Sequence, residues 1–329
     1  MTISRRNFIA AASSVGAGVA LSPLNTGTAQ ANGSDAQKVS SVQNAGFHRF
    51  QIGEFEITTL LDGRRAGHAP EKTYAIDQEA KDVASLLEEN LLPADRFVNS
   101  FTPVLINTGK DLVLFDTGMG AGARESGQGR LISALEASGY KADDVSLVVL
   151  SHFHPDHIGG LMENGKPAFA NARYAAGQKE FDFWTDPARL DSPAKGVAEL
   201  VDKNVKPLAE KMTFLAGDSE IVSGIHAVEA FGHTPGHLAF RIETDGKSLM
   251  LISDTANHFV ITLQRPEWHV SFDIDKEMAV ATRKRIFSMI ASERLPFIGY
   301  HMPFPSVAYL KQEGAGYRYI AETYQLRDK

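Results

Sequence analysis

The stretch Val145-Ser146-Leu147-Val148-Val149-Leu150-Ser151-His152-Phe153-His154-Pro155-Asp156-His157-Ile158-Gly159-Gly160 decides how this sequence is read. Its first half is a continuous apolar run, the mark of a strand buried on both faces. Its second half packs four groups able to bind a metal, His152, His154, Asp156 and His157, directly after that strand. In extended backbone His152 and His154 point the same way. Pro155 then bends the chain, so Asp156 and His157 address a second point nearby, while Gly159-Gly160 relaxes the steric limits on the loop. Imidazole and carboxylate at this density suit zinc or a similar first-row metal. A polar loop of solvated histidines is the bland alternative. A lone histidine would fit it, but three beside an aspartate do not.

Outward from this stretch, strand and helix patterns alternate. Phe50, Ile52, Phe55 and Ile57 alternate with polar residues up to a turn at Asp62-Gly63, and 64–76 reads as loop. A helix is expected over 77–91 with Ala80, Val83, Leu87 and Leu91 on one face. Strands follow at 103–107 and 112–116, a helix at 130–138, and the decisive strand at 145–150. Beyond the histidines the pattern gives a strand at 172–175, helices at 178–184 and within 197–211, and strands at 225–230, 238–243 and 248–252. A long helix spans 275–293 with Met278, Ile286 and Ile290 inward, and 297–300 is the expected last strand, ending at His301. Such alternation suits an α/β fold of two β-rich layers covered by helices.

The chain has 329 residues, 43% of them apolar and 22% charged, which excludes a disordered or fibrous protein. Its net charge of −7 argues against a nucleic-acid partner. With no cysteine and 11 histidines, any metal chemistry must use imidazole and carboxylate. Residues 1–31 carry Arg5-Arg6, an apolar run from Phe8 to Leu21 and a small-residue site at Ala29-Gln30-Ala31. That layout is an export signal, and Ser4-Arg5-Arg6-Asn7-Phe8-Ile9 resembles the bacterial twin-arginine type. A general secretory signal or an uncleaved anchor stays open. The expectation is a periplasmic or secreted protein handled by the twin-arginine machinery, with a lead-in over 32–46 and one domain over 47–329. No membrane contact is expected of the mature form.

His-x-His-x-Asp-His after an apolar strand resembles the metallo-β-lactamase superfamily of binuclear metallohydrolases, and further segments extend the likeness in order. Phe115-Asp116-Thr117-Gly118 looks like the family's Asp-Thr-Gly segment, Gly232-His233-Thr234-Pro235-Gly236-His237 like its next histidine segment, and Ser253-Asp254 like its bridging carboxylate, with Ser where Gly is commoner. His301 fits the final ligand. The resemblance implies an αββα sandwich. It also implies two divalent metals, zinc first, with manganese, iron or cobalt acceptable: His152, His154 and His233 on one, Asp156, His157 and His301 on the other, and Asp254 on both. Asp116 would orient a ligand histidine.

What the resemblance implies chemically is a hydroxide shared by the metals, attacking a small ester, a lactone or an aryl phosphotriester. Asp156 and Asp254 would be the carboxylates at the reaction, and Asp254 could pass a proton to the leaving group. The missing cysteine separates the chain from the classical β-lactam hydrolases. The segments 53–58, 178–184 and 313–318 look closest to the methyl parathion hydrolase and lactonase branch. Lactonases of the superfamily often carry tyrosine three residues past the bridging aspartate, and here that residue is Asn257, followed by His258. Trp184 is a candidate pocket residue or core, and Phe181 reads as core. His237 is expected to hydrogen-bond near the site, and His48, His68 and His226 to be ordinary. Relatives imply a homodimer. Acyl-homoserine lactone hydrolysis and a non-catalytic metal-binding role are the alternatives to a broader esterase.

Overall fold

The apolar run after Ser146 forms the strand Leu147–Leu150, in which every side chain is buried. It earns that burial by sitting inside a seven-stranded sheet between Leu112–Phe115 and Arg173–Gly177, parallel to both. The structure, a computed structural model, describes residues 46–324. The expected signal over 1–31 and nearly all of the lead-in lie outside the described residues. No helix among the described residues is long and apolar enough to cross a membrane.

The rest of the first sheet runs Phe47–Ile52, Phe55–Leu60 and Val104–Asn107 on one side, all antiparallel, and ends at Met212–Leu215 on the other. The second sheet also has seven strands, in the order Glu220–Val222, Ile225–Glu229, Leu238–Thr244, Lys247–Ser253, Phe297–Gly299, Val307–Glu313 and Gly316–Ala321. Only the pair Lys247–Ser253 and Phe297–Gly299 is parallel there. One buried cluster joins the sheets face to face, with Ile57, Ile106, Val113 and Val149 from the first meeting Ile225, Phe240, Ile242 and Leu251 from the second. A second cluster covers the outer face of the first sheet with the helices Leu131–Ala137, Gln178–Thr185 and Lys195–Asn204. A third packs Ile286, Phe287 and Ile290 of the helix Lys276–Glu293 on Met250, Ile252 and Phe297. Helix, sheet, sheet, helix is the αββα sandwich expected from the sequence.

Several element readings are corrected. The segment 64–76 is not loop: Gly63–His68 pairs with Arg96–Phe101 in a separate two-stranded ribbon, and Glu71–Tyr74 is a short helix. Neither ribbon strand alternates in hydrophobicity, because both expose charged residues while Phe97 packs inward. The helix expected over 77–91 is Ala80–Glu89 and buries Val83, Leu86 and Leu87, whereas Leu91 is 93% exposed. Met278 is likewise exposed, because the inward face of its helix runs through Ala279, Arg283, Ile286, Phe287 and Ile290. The strand ending at His301 is not the last, since the hairpin Val307–Glu313 and Gly316–Ala321 completes the second sheet. Asp62, expected in a turn, lies between the strands Phe55–Leu60 and Gly63–His68. It is buried and accepts from the backbone N–H groups of Met119, Gly129 and Leu131, and Gly118 (φ +70°) lies so close that a Cβ there would meet its Oδ1 at 2.3 Å.

Candidate metal centre

Five strand ends meet at one edge of the sandwich. Asp116 follows Leu112–Phe115, His152 to His157 follow Leu147–Leu150, and His233 lies beyond Ile225–Glu229. Asp254 follows Lys247–Ser253, and His301 lies just past Phe297–Gly299. Each residue therefore leaves the ladder where the backbone is free to turn toward the gap between the sheets.

The side chains gather into two groups. His152, His154, His233 and Asp254 offer ligand atoms that all lie within 4.8 Å of one another, and so do Asp156, His157, Asp254 and His301. Asp254 belongs to both. In the first group His233 Nε2 stands 3.2 Å from His152 Nε2 and 3.0 Å from His154 Nδ1. In the second, His301 Nε2 lies 3.4 Å from Asp156 Oδ2 and 3.0 Å from Asp254 Oδ2, while His157 Nε2 is 3.4 Å from Asp156 Oδ2.

The far nitrogen of four rings is tied down. His157 Nδ1–H donates to Asp116 Oδ2 at 2.9 Å, and Asp116 is itself fixed by Ser151 N and Ser151 Oγ, each at 2.8 Å. His233 Nδ1–H donates to Asp273 Oδ1 at 2.9 Å, His301 Nδ1–H to the Ser100 carbonyl at 3.0 Å, and His152 Nδ1 contacts Ser151 Oγ at 3.1 Å. This arrangement sets which ring nitrogen faces the centre, the usual role of groups behind a metal-binding histidine. Ser253 sits at φ +43°, a left-handed conformation that serine seldom adopts, and its hydroxyl is held by Ser151 Oγ at 2.8 Å. The serine standing where glycine is commoner thus has its hydroxyl bonded across to the strand end that carries His152.

The electrostatics ask for positive charge at the centre. Burial drives His152 well below the ordinary histidine range and His154 to about 3. Burial also opposes protonation of His157 and His301, but Asp156 and Asp254 outweigh it and raise both. His233 is held at about 9, burial being overcome by Asp254 and Asp273. Asp254 falls well below the usual carboxylate range despite its burial, because His301 and His157 surround it. Two buried atoms, His157 Nε2 and Asp254 Oδ1, lie 3.3 Å apart and have no hydrogen-bond partner. A divalent cation between them would replace the proton that the metal-free centre must hold there, taking the lone pair of a neutral His157 and the charge of Asp254. Two four-residue sets of imidazole and carboxylate with such orphaned atoms fit a pair of divalent ions sharing Asp254.

The remaining candidates separate. Asn257 is buried beside the centre and donates to Asp254 Oδ2 at 3.1 Å. Trp184 is buried in the outer core, lies edge-on to His154 at 6.0 Å between ring centroids, and spends its Nε1–H on Glu180. Phe181 packs on Phe214 against the same core. His258 belongs to neither group. Its Nδ1 accepts from Val260 N and Ile261 N, burial holds it at about 3, and it lines a neighbouring cleft of about 1150 Å³ with Phe97, Phe259 and Arg130. His237 hydrogen-bonds at the site without joining either group, donating to the Ala230 carbonyl at 2.8 Å and accepting from Asp254 N at 3.2 Å. Sequence reasoning missed Asp273 and the Ser100 carbonyl. The first lies in no motif and the second is backbone, so neither carries a sequence signal.

Comparison with known proteins places this geometry. The family model described as the metallo-beta-lactamase superfamily matches residues 100–289. An N-acyl homoserine lactonase from Bacillus cereus is 27% identical over 209 residues, covering 60% of this chain and 76% of that one. Among solved structures, AidC, a dizinc quorum-quenching lactonase in complex with its N-hexanoyl-L-homoserine product, is 28% identical with a TM-score of 0.78, covering 85% of this chain and 98% of that one. The hydrolase AbOPH of the beta-lactamase superfamily is also 28% identical, with a TM-score of 0.76 and coverages of 86% and 99%.

Proposed function

The chain belongs to the metallo-beta-lactamase superfamily and is a metal-dependent hydrolase, and from that premise we propose that it opens lactones of the acyl-homoserine type at two divalent ions, zinc first. The observation that carries the reading is the pair of groups sharing Asp254, with His157 Nε2 and Asp254 Oδ1 buried and unpartnered between them. His152, His154 and His233 would hold one ion, Asp156, His157 and His301 the other, and Asp254 both. When bound, such ions supply Lewis-acid polarisation of a carbonyl and activation of water near neutral pH.

The chain's own groups prepare that chemistry. Asp116, Asp273 and the Ser100 carbonyl fix three rings, so little reorganisation is left for the reaction. Asn257 holds one oxygen of Asp254 and keeps it aimed into the gap. Its amide stands where a lactonase tyrosine is frequent, and an amide N–H can donate to a carbonyl as a phenol can. The segment carrying Asp273 presents Phe272 and Ile274 to solvent, and Ile274 N donates to the His233 carbonyl, which puts apolar surface close to the site for an acyl tail.

Purified protein loaded with zinc is expected to hold about two ions per chain and to hydrolyse N-hexanoyl-homoserine lactone with kcat/KM of about 10⁴ M⁻¹ s⁻¹ or more. An aryl phosphotriester assayed beside it should react far more slowly. Turnover of the phosphotriester alone would replace the lactone reading. Two bound ions with turnover of neither would make the protein a non-catalytic binder. The arginine pair and apolar run of residues 1–31 support export of the folded chain, with cleavage after Ala31. N-terminal sequencing of protein recovered from the periplasm should begin at Asn32, and an intact Met1 on cytoplasmic protein would remove that reading.

A further inference from the structure

Glu180 is fully buried in the first turn of the helix Gln178–Thr185 and belongs to neither group at the centre. Four donors converge on its carboxylate. Phe153 N and Trp184 Nε1 reach Oε1 at 2.9 and 2.7 Å, and Thr234 Oγ1 and Gly236 N reach Oε2 at 2.7 and 3.0 Å. Four donors on an acceptor-only group form a complete charge-assisted set, which is what a buried carboxylate needs to offset its lost hydration.

Where those donors come from matters more than their number. Phe153 stands between His152 and His154, on the chain leaving the first sheet. Thr234 follows His233 directly and Gly236 lies three residues past it, on the loop leaving the second sheet. One carboxylate therefore clamps the two backbone segments that carry the three histidines of a single group. The approach is close at the backbone too, since a Cβ on Gly236 would meet Glu180 N at 2.1 Å. The other group is anchored differently, through Asp116 behind His157 and the Ser100 carbonyl behind His301.

We infer that Glu180 is a positioning residue for one metal only: it sets the spacing of His152 and His154 against His233 and leaves the site of Asp156, His157 and His301 untouched. The inference rests on the metal assignment proposed above and involves no substrate. Without the clamp, the two segments still share the bond from Leu238 N to the Ser151 carbonyl at 2.9 Å, but the support nearest His154 and His233 is gone and the ring nitrogens 3.0–3.2 Å apart around His233 drift.

The test is zinc affinity, read by competition with a chromophoric chelator on the full chain. Glu180→Gln keeps the shape but turns one acceptor into a donor that faces donors. In a His301→Ala background, which leaves the three-histidine site, Glu180→Gln should weaken zinc by about 10–100-fold. In a His154→Ala background, which leaves the other site, it should change nothing. Equal losses in both backgrounds, or none in either, would overturn the inference. Wild-type protein holding fewer than two ions would instead remove the metal assignment itself. If Glu180→Gln fails to fold, as judged by circular dichroism of the metal-free protein, Thr234→Val deletes a single donor and must show the same one-sided loss in smaller measure. Glu180→Asp, which keeps the charge on a shorter arm, should recover part of the affinity.

Discussion

Replacing Asp254 by asparagine is expected to cut lactone hydrolysis by more than about 100-fold, beyond the upper end of what removing a group behind a metal ligand costs. It should also lower the number of zinc ions retained per chain. Asp254 is the one residue shared by both groups, with Oδ2 3.3 Å from His233 Nε2 and 3.0 Å from His301 Nε2, and Oδ1 3.3 Å from His157 Nε2. Asparagine has the same outline, so packing at this 3%-exposed position is kept. What changes is that one oxygen becomes an NH₂ group and the negative charge that draws cations to the centre disappears. Asn257, which donates to Oδ2, would then face a donor in one of the two amide orientations. A 100-fold loss corresponds to about 2.7 kcal/mol of transition-state stabilisation. The check is kcat/KM together with zinc content on the same preparation. Equal rates and equal zinc in the two proteins would take Asp254 out of both the metal site and the chemistry.

The centre is legible in the sequence for a local reason. His152, His154, Asp156 and His157 lie in one short loop after an unbroken apolar strand and read as a cluster from the residues alone, whereas Asp116, His233, Asp254 and His301 are picked out through the family resemblance, each just past an expected strand. The supports behind them are less legible, because they act across long separations. Asp273 reaches His233 over 40 residues, and Glu180 reaches Phe153 over 27 and Gly236 over 56. Nothing in the sequence around Glu180 separates a clamp from an exposed helical glutamate. The fold's periphery fails differently. The strands Gly63–His68 and Arg96–Phe101 carry no alternating pattern, since their ribbon lies outside both large sheets and buries few side chains. Met278 is read inward because Arg283, five residues on, is counted as polar. With Arg283 taken as buried, the apolar face of that helix shifts by one residue to Ala279.

Arg283 carries the second large effect: Arg283→Met is expected to lower the free energy of unfolding by about 3–5 kcal/mol, the cost of leaving a buried ion pair half empty. At 1% exposure it is the largest fully buried side chain among the described residues. Its guanidinium places every bond on an internal acceptor: Nε on the Thr255 carbonyl at 3.0 Å, Nη1 on those of Pro266 and Trp268 at 3.0 and 3.1 Å, and Nη2 on Asp273 Oδ2 at 2.8 Å. Methionine fills much of the same volume, so the loss reports the polar network and not a cavity. Three carbonyls lose their donor, and the buried Asp273 carboxylate keeps only His233. For a domain of this size the change corresponds to a fall in thermal midpoint of about 10 °C. Arg283→Lys separates charge from geometry. It retains a cation near Asp273 but cannot reach four acceptors, so it should fall between wild type and Arg283→Met. Because Asp273 orients the His233 ring, zinc affinity at the three-histidine site should drop alongside stability in Arg283→Met and partly recover in Arg283→Lys. A midpoint within about 2 °C of wild type in Arg283→Met, about 0.5–1 kcal/mol on the same scale, would show that the three carbonyls and Asp273 find other partners and that the arginine does not brace the centre.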